Sequence, residues 1–562
     1  MPPALVVTRP TRTALGLPSL IGDRLLDRPV VVHTLQRLAR VDAVDRVVVV
    51  HPADDDPRPL IEPFADTIGK PIAYHPDPTN GRDATADKWA IARAVALPCW
   101  RGGLGQATCY DELLPAQPLI EAAERFNAES VLLAGADWPL VDPALAAAVL
   151  DNHLTAPEQL KLCFTQAPPG LSPIAAHRDV LQQLADHPGS GIGPILGYNP
   201  HAPALDPISK DVNTAVDHRV RDTYHRLIHD TPRSAALIDT LAQNLGEQLL
   251  DADARAIARA IDDLTHHSSL RTTHFPQQVT LELTPHRPAR GAVTPQHHAD
   301  LHREPIDADL ARGIIDQLAP DTILRLGGLG DALLHPDWRV IAQHAADRVL
   351  CVALDTDLLA THDRPVTADT PDPLPDDALA PLVAGPIDLI TVRLNADSAI
   401  VYRELMGVDG YAAAMDHLKR LHNLRAESAN PHLPWIVPRL AKTAANLTDM
   451  ETFFERWLRL FGTAVIEPAS CGCGLMPDLS PVPMHPPART PCRQLGGRLS
   501  ILSDGAVALC DQDWLGRDAL GHASDEPLAD IIARFADRQA AHDQGRVAEL
   551  TLCGQCTEWH RP

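Results

Sequence analysis

Cys492-Arg-Gln-Leu-Gly-Gly-Arg-Leu-Ser-Ile-Leu-Ser-Asp-Gly-Ala-Val-Ala-Leu-Cys510, with Cys553-Gly-Gln-Cys556 some forty residues on, is the most constraining part of this 562-residue chain. Arg498 to Leu502, then Ser503-Asp-Gly505, then Ala506 to Leu509 reads as a β-hairpin, because Asp-Gly supplies the positive φ angles of a tight turn. A hairpin returns its two ends to one place, so Cys492 and Cys510 are expected to lie together. Cys553 and Cys556 form a C-x-x-C knuckle in which two thiolates grip one metal centre. Four thiolates suit a [4Fe–4S] cluster or structural zinc, and spacing alone does not choose between them. Cys471-Gly-Cys473 is ambiguous: it donates a further ligand or is a loop with incidental thiols, and the second is favoured since the set of four is already complete.

The rest of the chain agrees with an intracellular metalloprotein. Of the 10 cysteines, Cys99, Cys109, Cys163 and Cys351 are scattered and read as small buried hydrophobes. The other six follow position 470, which points to metal binding rather than a disulfide framework. Net charge is −24, so nucleic acid and anionic membranes are unfavourable partners. No apolar run is long enough to span a membrane, and the start has no signal-peptide pattern. A cytoplasmic location is expected.

Strand and helix patterns alternate over most of the length, the signature of βαβ units and a parallel sheet. Strands are expected at Ala4–Thr8, Arg46–Val50 and Ser130–Ala134 in a domain over 1–230. A helical connector is expected over 231–270, with a break at His266 to Leu270. More strands are expected at Val279–Leu283, Thr322–Leu326, Val349–Ala353, Leu389–Arg393, Trp435–Val437 and Ala464–Glu467. These imply a barrel or part-barrel over 271–470, followed by a Cys-rich tail over 471–562.

The tail resembles a SPASM domain, the auxiliary cluster domain that follows many radical SAM barrels. The likeness rests on Cys492, the hairpin, Cys510 with Asp511 and Asp513, Leu520-Gly521, Pro527 to Ile531 and Cys553-Gly-Gln-Cys556. It implies one [4Fe–4S] cluster on Cys492, Cys510, Cys553 and Cys556, with zinc as the alternative. The middle segment resembles a radical SAM domain through Leu326-Gly-Gly-Leu-Gly-Asp-Ala-Leu-Leu-His-Pro336, Asp388 to Ala396 and Tyr402 to Gly407. In that family the glycine-rich strand end meets S-adenosylmethionine, which points to Gly327, Gly328 and Asp331. The family's C-x3-C-x2-C motif is absent, however. After Leu281-Glu-Leu-Thr284 the chain runs Pro285-His-Arg-Pro-Ala-Arg-Gly-Ala-Val-Thr294, and His286 cannot replace three thiolates. No radical generation is expected from this barrel, and the resemblance gives S-adenosylmethionine little support.

The first domain resembles the cytidylyltransferases that activate sugars. Thr11 to Pro18 stands at the family's phosphate turn, Asp27 to Arg37 at its helix entry, Gly135-Ala-Asp-Trp-Pro-Leu-Val-Asp-Pro143 at its G-D-x-P-L phrase, and Asp211-Val-Asn-Thr214 with Asp217 near its end. This implies CTP and a sugar-type substrate, with Mg²⁺ on Asp137 and Asp211 and with Arg9 and Arg12 facing the triphosphate. The carboxylates make chemical sense, because nucleotidyl transfer needs a metal ion to neutralise charge at the α-phosphate. The turn itself has only Gly16, and Ser19 stands where the family has a lysine.

The three parts in this order resemble the spiro-SPASM type of protein. The expected fold is α/β multidomain: a nucleotidyltransferase-like, Rossmann-like α/β sandwich, a radical SAM-like partial (β/α) barrel and a small α+β SPASM tail. The expected function is iron–sulfur binding with possible nucleotidyl transfer in sugar or cell-surface modification. The alternative is a non-catalytic redox or scaffold protein with two degenerate enzyme domains.

Overall fold

The computed structural model describes all residues except 1–2, 10, 79–83, 96–106, 114–115, 188–190, 196–210, 224, 267–275, 367–368, 483–484, 493 and 561–562. Cys99 and the expected break at 267–270 lie outside the described residues. The chain is mixed α/β with two large, mainly parallel sheets. It divides into two compact units, Met1–Leu270 and Arg271–Pro562.

The first unit is built on β1 (Ala4–Val7), β2 (Val47–Pro52), β3 (Ile72–Asp77), β4 (Ser130–Gly135), β5 (Leu162–Thr165), β6 (Ile174–His177) and β7 (Asn213–Thr214). Their order across the sheet is β3-β2-β1-β4-β6-β5-β7. β1, β2 and β4 are buried nearly throughout, as expected of β-branched and apolar runs covered on both faces. The chain moves outward from β1 to β2 and β3, then returns to place β4 on the other side of β1. The gap between the carboxyl ends of β1 and β4 is therefore a topological switch point, where open α/β sheets bind ligands.

The connector belongs to this unit. Helices α1 (Val30–Leu38), α2 (Pro143–Thr155), α3 (Pro232–Leu245) and α4 (Ala254–His266) frame a second apolar core. α4 presents Ala254, Ile257, Ala258 and Ile261 to it, the spacing of one helical face. Asp142 caps α2 through Ala144 and Leu145, and its other oxygen accepts from the Ala254 amide. Arg37 on α1 donates to the Leu249 and Ala252 carbonyls.

The second unit carries β8 (Gln278–Leu281), β9 (Ile323–Leu326), β10 (Cys351–Thr356), β11 (Leu389–Arg393), β12 (Trp435–Lys442), β13 (Val465–Pro468), β14 (Arg498–Ile501), β15 (Ala506–Ala508) and β16 (Ala519–His522). The order is β13-β12-β11-β10-β9-β8-β14-β15-β16. Strands β8 to β13 form the expected parallel part-barrel. The tail continues it: β14 pairs in parallel with β8, in register Gln278↔Arg498 to Leu281↔Ile501. Barrel and tail also share one apolar core, which includes Leu281, Leu324, Leu499 and Val507. The hairpin turn closes as its sequence demands, with Gly505 at φ 93° and the Leu502 amide donating to Ala506 at 2.9 Å. Among the described residues, no helix is long and apolar enough to cross a membrane.

Candidate functional sites

The tail thiols come together, and a fifth joins them. Cys473 makes side-chain hydrogen bonds to Cys510 and Cys556. Cys492 and Cys553 lie near enough to Cys510 and Cys556 for the thiols to oppose one another's ionisation. Cys473 therefore lies beside the set of four. It stands in a run of three left-handed residues, Gly472, Cys473 and Gly474, a conformation that costs energy for a side chain other than glycine. A Cβ on Gly472 would sit 2.4 Å from the Trp514 ring, so only glycine lets the turn pack there. The Cys471 sulfur lies 3.8 Å from the Thr557 hydroxyl.

Backbone amides reach the sulfurs. Gln494 and Leu495 donate to Cys492, and the Glu558 amide donates to Cys556 at 3.2 Å. Such bonds favour thiolate over thiol and tune bound metal centres. Burial pushes Cys553 up to about 12, helped by the neighbouring Cys510 charge. Cys556 is held down at about 7, chiefly by the Cys473 hydrogen bond and, against its burial, by the Glu558 amide. Among the described residues, no group of three or more His, Cys, Asp or Glu side chains is arranged as a ready-made site for a single metal ion.

In the barrel, the loop after β8 is filled by its own side chains. Arg287 forms a buried ion pair with Asp357, which also accepts from the Ala289 amide. The loop fits against glycines: a Cβ on Gly330 would lie 1.7 Å from the Thr284 carbonyl oxygen. Gly327 and Gly328 end β9 as the sequence suggests, Gly328 with φ 95°. Gly327 faces Asp355, whose Cβ would stand 2.6 Å from an added Cβ. Asp331 is buried. Its oxygens accept from the Thr356 hydroxyl at 2.9 Å and from the Asp357 and Leu333 amides at 2.8 and 3.1 Å. It braces the end of β10.

In the first unit a cleft opens at the switch point, lined by Arg9, Arg12, Thr13, Ser19, Glu112 and Asp137 among others. The turn before α1 is held by Thr13 and Leu17 (2.7 Å) and by Gly16 at φ 81°. The buried Thr13 hydroxyl has no hydrogen-bond partner, a polar group ready for a ligand. Gly135 is required at the strand end, since a Cβ there would meet Asp137 Oδ1 and Trp138 Nε1, both at 2.6 Å. Burial and the charge of Asp230 push Asp137 up to about 7.

A buried ion network missing from the sequence reading underlies the cleft. Glu112 accepts from Arg93 Nε and Arg226 Nη2, both at 2.7 Å, and Arg226 also pairs with Asp230. Burial would raise Glu112, but Arg226 and Arg93 outweigh it and hold its carboxyl low. These residues come from distant segments with no shared motif, so no local pattern marks them.

Asp211 does not join Asp137. It is exposed and immediately precedes Val212 and β7, and the register β7–β5–β6–β4 places it near the level of Val131. Asp137 lies beyond the opposite end of β4, on the order of 15–20 Å along the strand direction at about 3.3 Å per residue. The Asp211 carbonyl accepts from Asn152 at 2.8 Å. Asp217 caps the short helix His218–Arg221 and pairs with Arg255.

No protein-family profile matches the chain. An uncharacterised protein of Treponema pallidum (strain Nichols) is 28% identical over 319 residues, 55% of this chain and 85% of that protein. Among solved structures, BtrN in complex with AdoMet and 2-DOIA is 12% identical, with a TM-score of 0.34, and is matched over 50% of this chain and 92% of its own. A cytidylyltransferase from Leptospira borgpetersenii is 14% identical, with a TM-score of 0.33, over 49% of this chain and 99% of its own.

Proposed function

We propose that the C-terminal unit is an iron–sulfur module in which Cys492, Cys510, Cys553 and Cys556 hold one [4Fe–4S] cluster. The observation that carries this reading is the convergence of the four thiols at the foot of the β14–β15 hairpin, with backbone amides directed at two of the sulfurs. A bound cluster supplies one-electron chemistry. The protein's part is to shield it: Cys553 and Cys473 are buried, and the other three are partly so. Arg489 steadies the knuckle by donating to the Cys553 carbonyl at 2.7 Å. Anaerobic purification followed by iron and sulfide analysis tests the reading. About four of each per chain are expected, with loss of both when the four cysteines become serine. Zinc without sulfide, or iron that survives the quadruple change, overturns it.

A second reading concerns the first unit and is favoured by the cleft at the β1–β4 switch point. There Asp137 would hold Mg²⁺ and Arg12 would face the phosphates of a nucleotide such as CTP, with a sugar-type acceptor. Asp211 has no part in it. Incubation with CTP, Mg²⁺ and a panel of acidic sugars is expected to release pyrophosphate, and Asp137→Ala to abolish the release. Binding of CTP without release would leave a nucleotide-binding module. The absence of both would remove the reading.

A further inference from the structure

Three arginines of the second sheet crowd around one buried carboxylate. Arg325 on β9, Arg393 on β11 and Arg439 on β12 all turn toward Asp355 on β10. Arg325 Nη1 lies 2.6 Å from Asp355 Oδ1, Arg393 Nη2 3.2 Å from Oδ2, and Arg439 Nη1 3.9 Å from Oδ2. Arg439 also pairs with Glu467 on β13, and Arg393 donates to the Gly328 carbonyl at 2.7 Å. Three guanidinium groups thus contact two carboxylates, while Asp357 acts on Arg393 and Asp511 on Arg439 from farther off. The next acid toward the tail, Asp511, is already paired with Arg498 at 3.2 Å.

Two features set this apart from an ordinary ion-pair network. Arg393 and Arg439 are direct cross-strand partners in the β11–β12 register, and like charges directly opposite one another cost stability. The donors also face outward: side-chain exposure is 34% for Arg325 and 17% and 21% for Arg393 and Arg439, against 3% for Asp355. The carboxylate is buried, whereas each arginine side chain keeps part of its surface open. Asp355 and Arg393 stand at the carboxyl ends of their strands, beside the Gly327-Gly328 turn, which is the end where parallel barrels place their ligand sites.

The geometry points to a binding site for a compact oxyanion group, phosphate or carboxylate, of a small-molecule ligand, held by Arg325, Arg393 and Arg439. Guanidinium forks match both groups in two-point fashion. The ligand adds negative charge beside the three guanidinium groups and relieves the Arg393–Arg439 opposition. The site uses none of the tail thiols and no residue of the cleft in the first unit.

Isothermal titration of the full chain with inorganic phosphate, and separately with succinate, tests this against sodium chloride at matched ionic strength. Saturable binding of at least one is expected, and the one that binds names the group. Arg325→Gln leaves the backbone pairing intact and is expected to weaken binding at least tenfold. Arg393→Lys keeps the charge but loses the fork and is expected to weaken it as well. Arg459→Gln, at an exposed position of the same unit, is expected to leave it unchanged. Binding of neither anion beyond the chloride control overturns the proposal. So does binding that persists in Arg325→Gln and vanishes in Arg12→Ala, which would place the anion in the first unit's cleft.

Discussion

Asp331 has all three of its hydrogen bonds arranged to favour an ionised carboxylate, yet burial and the Asp357 charge push it up to about 7 from a usual 3.8. Between about pH 4 and pH 7 the folded chain therefore keeps a proton that the unfolded chain has lost, and stability falls as pH rises through that window. Asp331→Asn, which carries no charge at any pH, is expected to flatten this fall, by up to a few kcal/mol in order of magnitude. Guanidinium midpoints at pH 5 and pH 8 for the two proteins measure it. Asp137 is raised to about 7 in the same direction, so its carboxylate forms only as pH climbs past neutrality. Mg²⁺-dependent nucleotide binding is expected to strengthen from pH 6 to pH 8, and to be weak and pH-independent in Asp137→Asn, as read by equilibrium dialysis. At the thiols, Cys473→Ala is expected to retain iron while Cys510→Ser loses it. The gathering of the four tail thiols was legible because a hairpin and a C-x-x-C knuckle are local devices. Cys473 was not, because the chain path that brings it to Cys510 runs through a proline-rich stretch with no periodicity to read.

Elements were read best where one residue type does one job. Leu389–Arg393 was placed to the residue, and the Asp504-Gly505 turn closes as its chemistry requires. Ile72–Asp77 was missed: His75, Pro76 and Asp77 break the apolar pattern, and only pairing with the fully buried Val47–Pro52 makes it a strand. The partnership of β14 with β8 was equally hidden, since nothing local to either strand names the other. Two substitutions test how elements are joined. Asp142→Ala removes the α2 cap and the bond to the Ala254 amide, and is expected to cost about 1–3 kcal/mol by chemical denaturation of residues 1–270. Gly330→Ala drives a methyl group into the Thr284 carbonyl and is expected to be severely destabilising, with loss of soluble protein, whereas Ala at exposed Gly313, where nothing stands within 4 Å of a Cβ, is expected to be neutral or better.

For the whole molecule, the sequence boundaries at 230 and 470 mark changes of pattern rather than separate bodies. The connector packs on the first unit through Leu237, Leu241 and Ile257, and the tail completes the second. Residues 1–270 and 271–562 are each expected to melt cooperatively by circular dichroism when made alone. Residues 271–470 are not, because β8 would lose a hydrogen-bonded neighbour and become an open apolar edge. Cooperative melting of 271–470 would show that the tail is dispensable to the barrel. The net charge of −24 gave no sign of the arginine cluster on the second sheet. Charge totals average over position, whereas Arg325, Arg393 and Arg439 act only because three separated strands set them side by side.

The pairing of β8 with β14 has a temporal side. During translation β8 leaves the ribosome roughly 220 residues ahead of its neighbour, an interval on the order of 10–45 s at about 5–20 residues per second. Throughout that time the nascent barrel presents one uncovered apolar margin. The emerging polypeptide is therefore expected to need a holding chaperone until Arg498–Ile501 docks, and ribosome-profiling pauses or chaperone crosslinks confined to that interval would report it.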